Sequence, residues 1–137
     1  MRLVIDTNVV VSAFINPRGK PSQIIKMILS RKAELCCNAA ILSEYESVMC
    51  RPKFSGKIDT DKVCRFIILL KSIGISFNPL PDNSKPHETV KISDESDRIF
   101  YDTAKGSGSI LISGNLKHFP KEPFIMLPAD FLKQFES

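Results

Sequence analysis

Short, wholly apolar segments recur along the chain, separated by stretches of helical spacing, and this alternation constrains the fold more than any other feature. Leu3, Val4 and Ile5 form the first such segment. Residues 34–38 (ELCCN), 109–113 (SILIS) and 124–127 (FIML) read as further strands, and 75–80 (ISFNPL) as a strand or an extended link. Strands without polar alternation are buried on both faces. Between them, Pro21 suits the first turn of a helix whose apolar face is Ile24, Ile25, Ile28 and Leu29. Residues 39–51 set Ile41, Tyr45, Val48 and Met49 on one stripe, and 60–73 do the same with Val63, Phe66, Ile67 and Leu70, before Gly74 as a stop. Residues 94–105 turn Ile99, Phe100, Thr103 and Ala104 inward, and 129–135 (ADFLKQF) read as a last helix. Loops fall at 16–20 (NPRGK) and 51–57 (RPKFSGK), and the most linker-like stretch is 81–91 (PDNSKPHETVK). Strands alternating with helices predict an α/β fold, a parallel sheet with helices on both faces.

In that architecture ligands bind at the carboxyl ends of the strands. Asp6 stands at such an end. It closes the first strand and is followed by polar Thr7 and Asn8. It can equally well cap the helix that follows, as Asp, Thr and Asn all do. Three further places carry acids or amides. In SEYES, Glu44 and Glu46 border the apolar stripe on opposite edges, and periodicity does not choose between them. In SDESD, Ser93 or Asp94 suits an N-cap and Asp97 the first helical turn, where the dipole favours acids. Asp97 also lies one turn before Tyr101, so it can face inward. In LISGNLKHF, Ser113, Gly114 and Asn115 close a strand as Asp6 closes the first; His118 has no second histidine at metal spacing and reads as a surface or packing residue.

Gathered at one cleft, Asp6, Glu44, Asp97 and Asn115 would set like charges together. These raise one another's pKa unless a cation compensates. Oxygen donors without Cys or His suit Mg²⁺ or Mn²⁺ rather than Zn²⁺. Competing chemistries lack their motifs. No GxGxxG, GxxxxGK[ST] or GxSxG occurs, and a phospho-aspartate at Asp6 would need a second Asp where Asn8 stands.

Length and composition agree with this reading. The 137 residues suit one domain, 1–137, with a single core. A net charge of +4 permits a nucleic-acid partner without requiring one. Cys36, Cys37, Cys50 and Cys64 form no CxxC pair and read as reduced core thiols of a cytoplasmic protein. No signal-peptide pattern and no apolar stretch of membrane-spanning length is present, so no membrane association is expected.

VIDTNVVVSAF, SEYESVMCRPKF, DESDRIFYDTA and LISGNLKHFP, in this order, resemble the PIN-domain family over residues 1–130, and most closely its VapC-like toxins of bacterial toxin–antitoxin pairs. The resemblance implies a three-layer α/β/α sandwich around a parallel sheet. It implies a ribonuclease dependent on Mg²⁺ or Mn²⁺, with RNA as substrate, a cognate antitoxin as partner, and a homodimer as a common assembly. Asp6, Glu44, Asp97 and Asn115 match the family's metal-binding and catalytic positions, which favours Glu44 over Glu46. Asn115 stands where many members carry Asp, leaving one charge fewer for a second ion. Thr7, Asn8 and Ser113 match groups that orient ligands or water, and Asp94 is an additional candidate. Arg18 and Lys20 in one loop, and Arg51, Lys53 and Lys57 in another, are candidates for gripping a phosphate backbone or are ordinary solvated charges. The alternative within the same fold is a non-catalytic module that binds RNA or protein.

Overall fold

A computed structural model describes residues 1–79, 92 and 94–135. Five strands, β1 (Arg2–Ile5), β2 (Glu34–Cys37), β3 (Ile75–Ser76), β4 (Ile110–Ile112) and β5 (Ile125–Met126), form one sheet in the order β3-β2-β1-β4-β5. Every pairing is parallel, with Leu3 in register with Leu35 on one side and Ile110 on the other. Six helices lie among the described residues: α1 (Thr7–Ile15), α2 (Lys20–Leu29), α3 (Ala39–Met49), α4 (Thr60–Ile73), α5 (Arg98–Ser107) and α6 (Pro128–Phe135). The α/β expectation holds.

The central strand shows why its sequence has no polar alternation. Neighbouring strand residues point to opposite faces, and Leu3, Val4 and Ile5 are all fully buried. Ile5 and Leu35 share a small apolar gap with Val10, Ile25, Tyr45 and Phe66, which come from α1 to α4. Helix α5 packs on β1, β2 and β4, and Phe100 stacks on Tyr45 with ring centroids 6.2 Å apart. From β1 the chain builds outward to β2 and β3, then crosses back to add β4 on the opposite side. The direction of winding therefore reverses between β1 and β4, and a crevice opens outside their carboxyl ends at such a point. Asp6 follows β1 there, and Ser113 follows β4.

Local chemistry sets the helix ends. Pro21 lies in the first turn of α2, as expected, but Leu29 is exposed rather than part of the apolar face. Asp59 caps α4 through the Asp61 amide. At the end of α4 a Cβ on Gly74 would stand 2.6 Å from the Leu70 carbonyl oxygen and 3.0 Å from Cys37 Sγ, so only glycine fits. Gly108 ends α5 at φ 69°, the left-handed conformation glycine adopts without strain.

Several details differ from expectation. Residues 94–105 are not one α-helix: Glu95–Asp97 form a 3₁₀ turn and α5 begins at Arg98. Asp94 Oδ1 accepts the Ser96 amide at 3.0 Å, and Glu95 grips Arg98 at 2.6 and 2.9 Å, which together hold the tighter turn. All four cysteines are free, but only Cys36 and Cys37 are core residues; Cys50 and Cys64 are exposed at the end of α3 and in α4. Ser93, Leu80 and the stretch 81–91 lie outside the described residues.

One buried amide ties the layers together. Asn38 Oδ1 accepts the Ile41 amide at 2.9 Å and caps α3, while its Nδ2 donates to the Phe77 carbonyl and to Thr103 Oγ1, each at 3.0 Å. Asn38→Ala removes a cap worth about 1 kcal/mol and leaves buried acceptors unpaired at about 1–3 kcal/mol each. Urea unfolding should show a loss of about 3 kcal/mol. A loss within experimental error of zero would deny Asn38 this role.

Candidate active site

The Asp6 amide extends the sheet by donating to the Ile112 carbonyl at 2.9 Å, and its own carbonyl accepts the Val9 amide at 3.0 Å to start α1. Asp6 therefore occupies the cap position of α1, yet its side chain makes no capping hydrogen bond. The carboxylate turns across the sheet instead, where Ser113 Oγ donates to Oδ2 at 2.8 Å. Asp6 is only 3% exposed. Burial pushes its carboxyl above the usual carboxylate range and Glu44 adds to that; Ser113, the Thr7 amide and His118 oppose it.

From Ser113 a chain of polar contacts crosses to the 3₁₀ turn before α5. Fully buried Ser113 Oγ accepts the Asn115 amide at 3.1 Å, which shapes the Ser-Gly-Asn loop. Asn115 Nδ2 lies 2.9 Å from His118 Nε2, and His118 Nδ1 lies 3.4 Å from Asp97 Oδ2. Asp97, with 16% of its side chain exposed, is raised above the usual range by burial, then by the charges of Asp6 and Asp94; His118 counters. Asp94 itself is exposed and spends one oxygen on capping the Ser96 amide.

Helix α3 supplies the third carboxylate. Tyr45 is fully buried and its hydroxyl donates to the Ile5 carbonyl at 2.5 Å, one residue before Asp6. This bond pins α3 against the tip of β1. Glu44, the preceding residue, is half-buried and its charge bears on Asp6; Glu46 is exposed and bears on Cys50. The sequence offered Tyr45 only as an apolar stripe residue and His118 only as a surface or packing residue. The hydroxyl of the one and the two ring nitrogens of the other are what join the parts. The signal for His118 was its spacing three residues after Asn115, because residues i and i+3 eclipse in a 3₁₀ turn, here Leu116–His118.

Of the remaining candidates, Thr7 is buried beside Asp6 and its Oγ1 has no hydrogen-bond partner, whereas Asn8 is exposed. Arg18, Lys20, Arg51, Lys53 and Lys57 are all exposed, with Lys53 Nζ 5.0 Å from the centre of the Phe54 ring. Among the described residues no ion pair joins any of the five to the carboxylates.

Three observations bear on whether these residues fit a cation. The donors are carboxylate and amide oxygens, the set hard divalent ions prefer. No lysine or arginine is among the groups that shift Asp6 or Asp97. The hydroxyl of Thr7, the residue after Asp6, is buried without a hydrogen-bond partner. Against these, no three His, Cys, Asp or Glu side chains among the described residues converge to ligand spacing as they stand. The residue types fit a hard cation, and the side chains would have to close inward to hold one.

The comparisons with known proteins fall on this ground. The profile of the PIN domain matches residues 2–117. An uncharacterized protein of Methanocaldococcus jannaschii is 28% identical over 116 residues, 84% of this chain and 71% of that protein. The crystal structure of VapBC2 from Rickettsia felis, bound to a DNA fragment from their promoter, contains a similar chain: TM-score 0.58 at 13% identity, covering 93% of this chain and 97% of that one. The matched segment takes in the ends of β1 and β4, with Asp6 and Ser113, and the acids Glu44 and Asp97. The chain belongs to the PIN-domain family.

Proposed function

We propose that this chain is a divalent-metal-dependent ribonuclease acting as one PIN domain, the toxin of a toxin–antitoxin pair. The observation that carries the reading is that the charge of Glu44 bears on Asp6 and that of Asp6 on Asp97 near the sheet's winding reversal, with no lysine or arginine among the groups that shift Asp6. PIN nucleases generally use a divalent metal. Asp6, Glu44, Asp97 and the Asn115 amide oxygen would hold Mg²⁺ or Mn²⁺. Bound there, such an ion makes water a stronger acid and steadies charge on phosphoryl oxygens.

The protein's own groups do the positioning. Ser113 fixes one oxygen of Asp6. Tyr45 holds Glu44 beside it through the Ile5 carbonyl. Arg18, Lys20, Arg51, Lys53 and Lys57 draw in the phosphate backbone, while Thr7, Asn8 and Asp94 orient ligands or water. Water adds to phosphorus and the bond to the 3′-oxygen breaks, giving 5′-phosphate and 3′-hydroxyl ends without the RNA 2′-hydroxyl. The structural similarity to a VapBC complex supports an antitoxin as partner; a homodimer belongs to the same reading. The RNA would be met in the cytoplasm; among the described residues no helix is long and apolar enough to cross a membrane.

A second reading, a non-catalytic module that binds RNA or protein, draws on the carboxylates' failure to reach ligand spacing. One experiment separates the two. Purified protein should cut end-labelled single-stranded RNA with Mn²⁺ or Mg²⁺, stop in EDTA, and leave 5′-phosphates. Cleavage unchanged by excess EDTA, or products ending in 2′,3′-cyclic phosphate, would rule out the mechanism. RNA retention without cleavage under any divalent ion would favour the binding module.

A further inference from the structure

We propose that His118 is a positioning residue that sets Asp97 and Asn115 in the orientation in which they receive a divalent cation. The inference rests on reading those two residues as ligands, and adds to it a residue that the ligand pattern does not contain.

Both ring nitrogens of His118 are engaged, each by a different candidate ligand. Nδ1 is 3.4 Å from Asp97 Oδ2, and Nε2 is 2.9 Å from Asn115 Nδ2. An ionised carboxylate can only accept, so the nitrogen facing Asp97 carries the proton. A neutral imidazole then offers a lone pair at Nε2, and Asn115 must present its NH₂ to it. The structure places the Asn115 nitrogen, not its oxygen, against Nε2, as this requires. It fixes what an isolated asparagine leaves undecided, namely which end of the amide faces the crevice. With the nitrogen held by His118, the Asn115 oxygen is the end left for a cation, and an amide binds hard ions through oxygen. Asp97 likewise commits Oδ2 to the ring and keeps Oδ1. Elsewhere, groups that orient metal ligands in this way change metal affinity by about 10- to 100-fold when removed.

The geometry also shows why the ring serves as a spacer. Asp97 ends the turn before α5, while Asn115 follows β4. No hydrogen bond joins the two side chains directly among the described residues. Ser113 and His118 are thus successive links from Asp6 to Asn115 and from Asn115 to Asp97.

The test measures binding, independent of turnover. Mn²⁺ is titrated into the whole protein and free ion is followed by electron paramagnetic resonance, for wild type, Asp6→Asn, His118→Ala and His118→Asn. His118 is 39% exposed, so the substitutions should fold, which melting in EDTA verifies. The expected result is a Kd raised about 10- to 100-fold in His118→Ala. His118→Asn, whose amide can stand near the Nδ1 position and donate to Asp97, should recover part of it. A long-range ¹H–¹⁵N spectrum of the metal-free wild type, recorded where the imidazole is neutral, should show the proton on Nδ1. A wild-type Kd retained in His118→Ala, or a proton on Nε2, overturns this inference alone. Failure of wild type to bind Mn²⁺, or undiminished binding by Asp6→Asn, overturns the ligand reading and this inference with it.

Discussion

Asp6→Asn should lower metal-dependent RNA cleavage by about a thousandfold, since the metal's share of transition-state stabilisation is several kcal/mol and about 4 kcal/mol corresponds to that factor. The substitution is nearly isosteric. Asparagine caps helices about as well as aspartate, and its side-chain oxygen can still accept the Ser113 hydroxyl that Oδ2 accepts at 2.8 Å. What changes is one negative charge at a site 3% exposed, where no lysine or arginine offsets it. Binding of RNA should persist, because the exposed residues Arg18, Lys20, Arg51, Lys53 and Lys57 remain. Single-turnover cleavage with Mn²⁺ and RNA binding by fluorescence anisotropy, on the same preparations, read the two effects separately. A mutant that cuts within threefold of wild type would remove Asp6 from the chemistry.

That experiment is needed because the sequence alone could not distinguish the two roles open to Asp6. A residue between a strand and a helix is at once the cap of the one and the carboxyl end of the other. Only the bonds of the side chain decide, and it makes no capping hydrogen bond while accepting the Ser113 hydroxyl. The strands were easier to read, because burial on both faces leaves a wholly apolar signature, as at Leu3, Val4 and Ile5. Their lengths were not, since β5 needs only Ile125 and Met126 to pair, and Phe124 and Leu127 satisfy the apolar pattern without joining the strand.

The acids on helices were the hardest. Glu44 and Glu46 lie on opposite edges of one stripe, so hydrophobic spacing treats them alike. The helix is rotated and anchored by a hydroxyl, Tyr45 on the Ile5 carbonyl, which an apolar pattern does not weigh. The same blindness covered the 3₁₀ turn at Glu95–Asp97, whose cause is the local bond from the Ser96 amide to Asp94 rather than any periodic feature. It covered Cys50 and Cys64 too. They were read as core thiols by residue type, yet both are exposed.

Thermal melting should show a reversal of order between wild type and Asp6→Asn when metal is added. In EDTA at neutral pH the mutant should melt higher. The folded protein holds the Asp6 carboxyl above its ordinary value of 3.8, chiefly through burial and with a further push from Glu44. A carboxyl raised in this way binds its proton more tightly folded than unfolded. Its cost to stability is therefore absent below the unfolded value, appears as pH rises through 3.8 toward the raised one, and is fully present at neutrality. Removing the charge removes that cost, on the order of 1 kcal/mol for a strained functional group, or about 3 °C in a domain of this size. The mutant's advantage should fade below about pH 3.5, where both chains carry an uncharged group there. Metal acts in the opposite direction, because it binds only the folded site. Wild type gains RT ln(1 + [L]/Kd), about 2.7 kcal/mol at a hundredfold excess over Kd, and the mutant gains far less. In millimolar Mn²⁺ wild type should then melt above Asp6→Asn. An equal response to Mn²⁺ in the two proteins would show that the ion, wherever it binds, does not use this carboxylate.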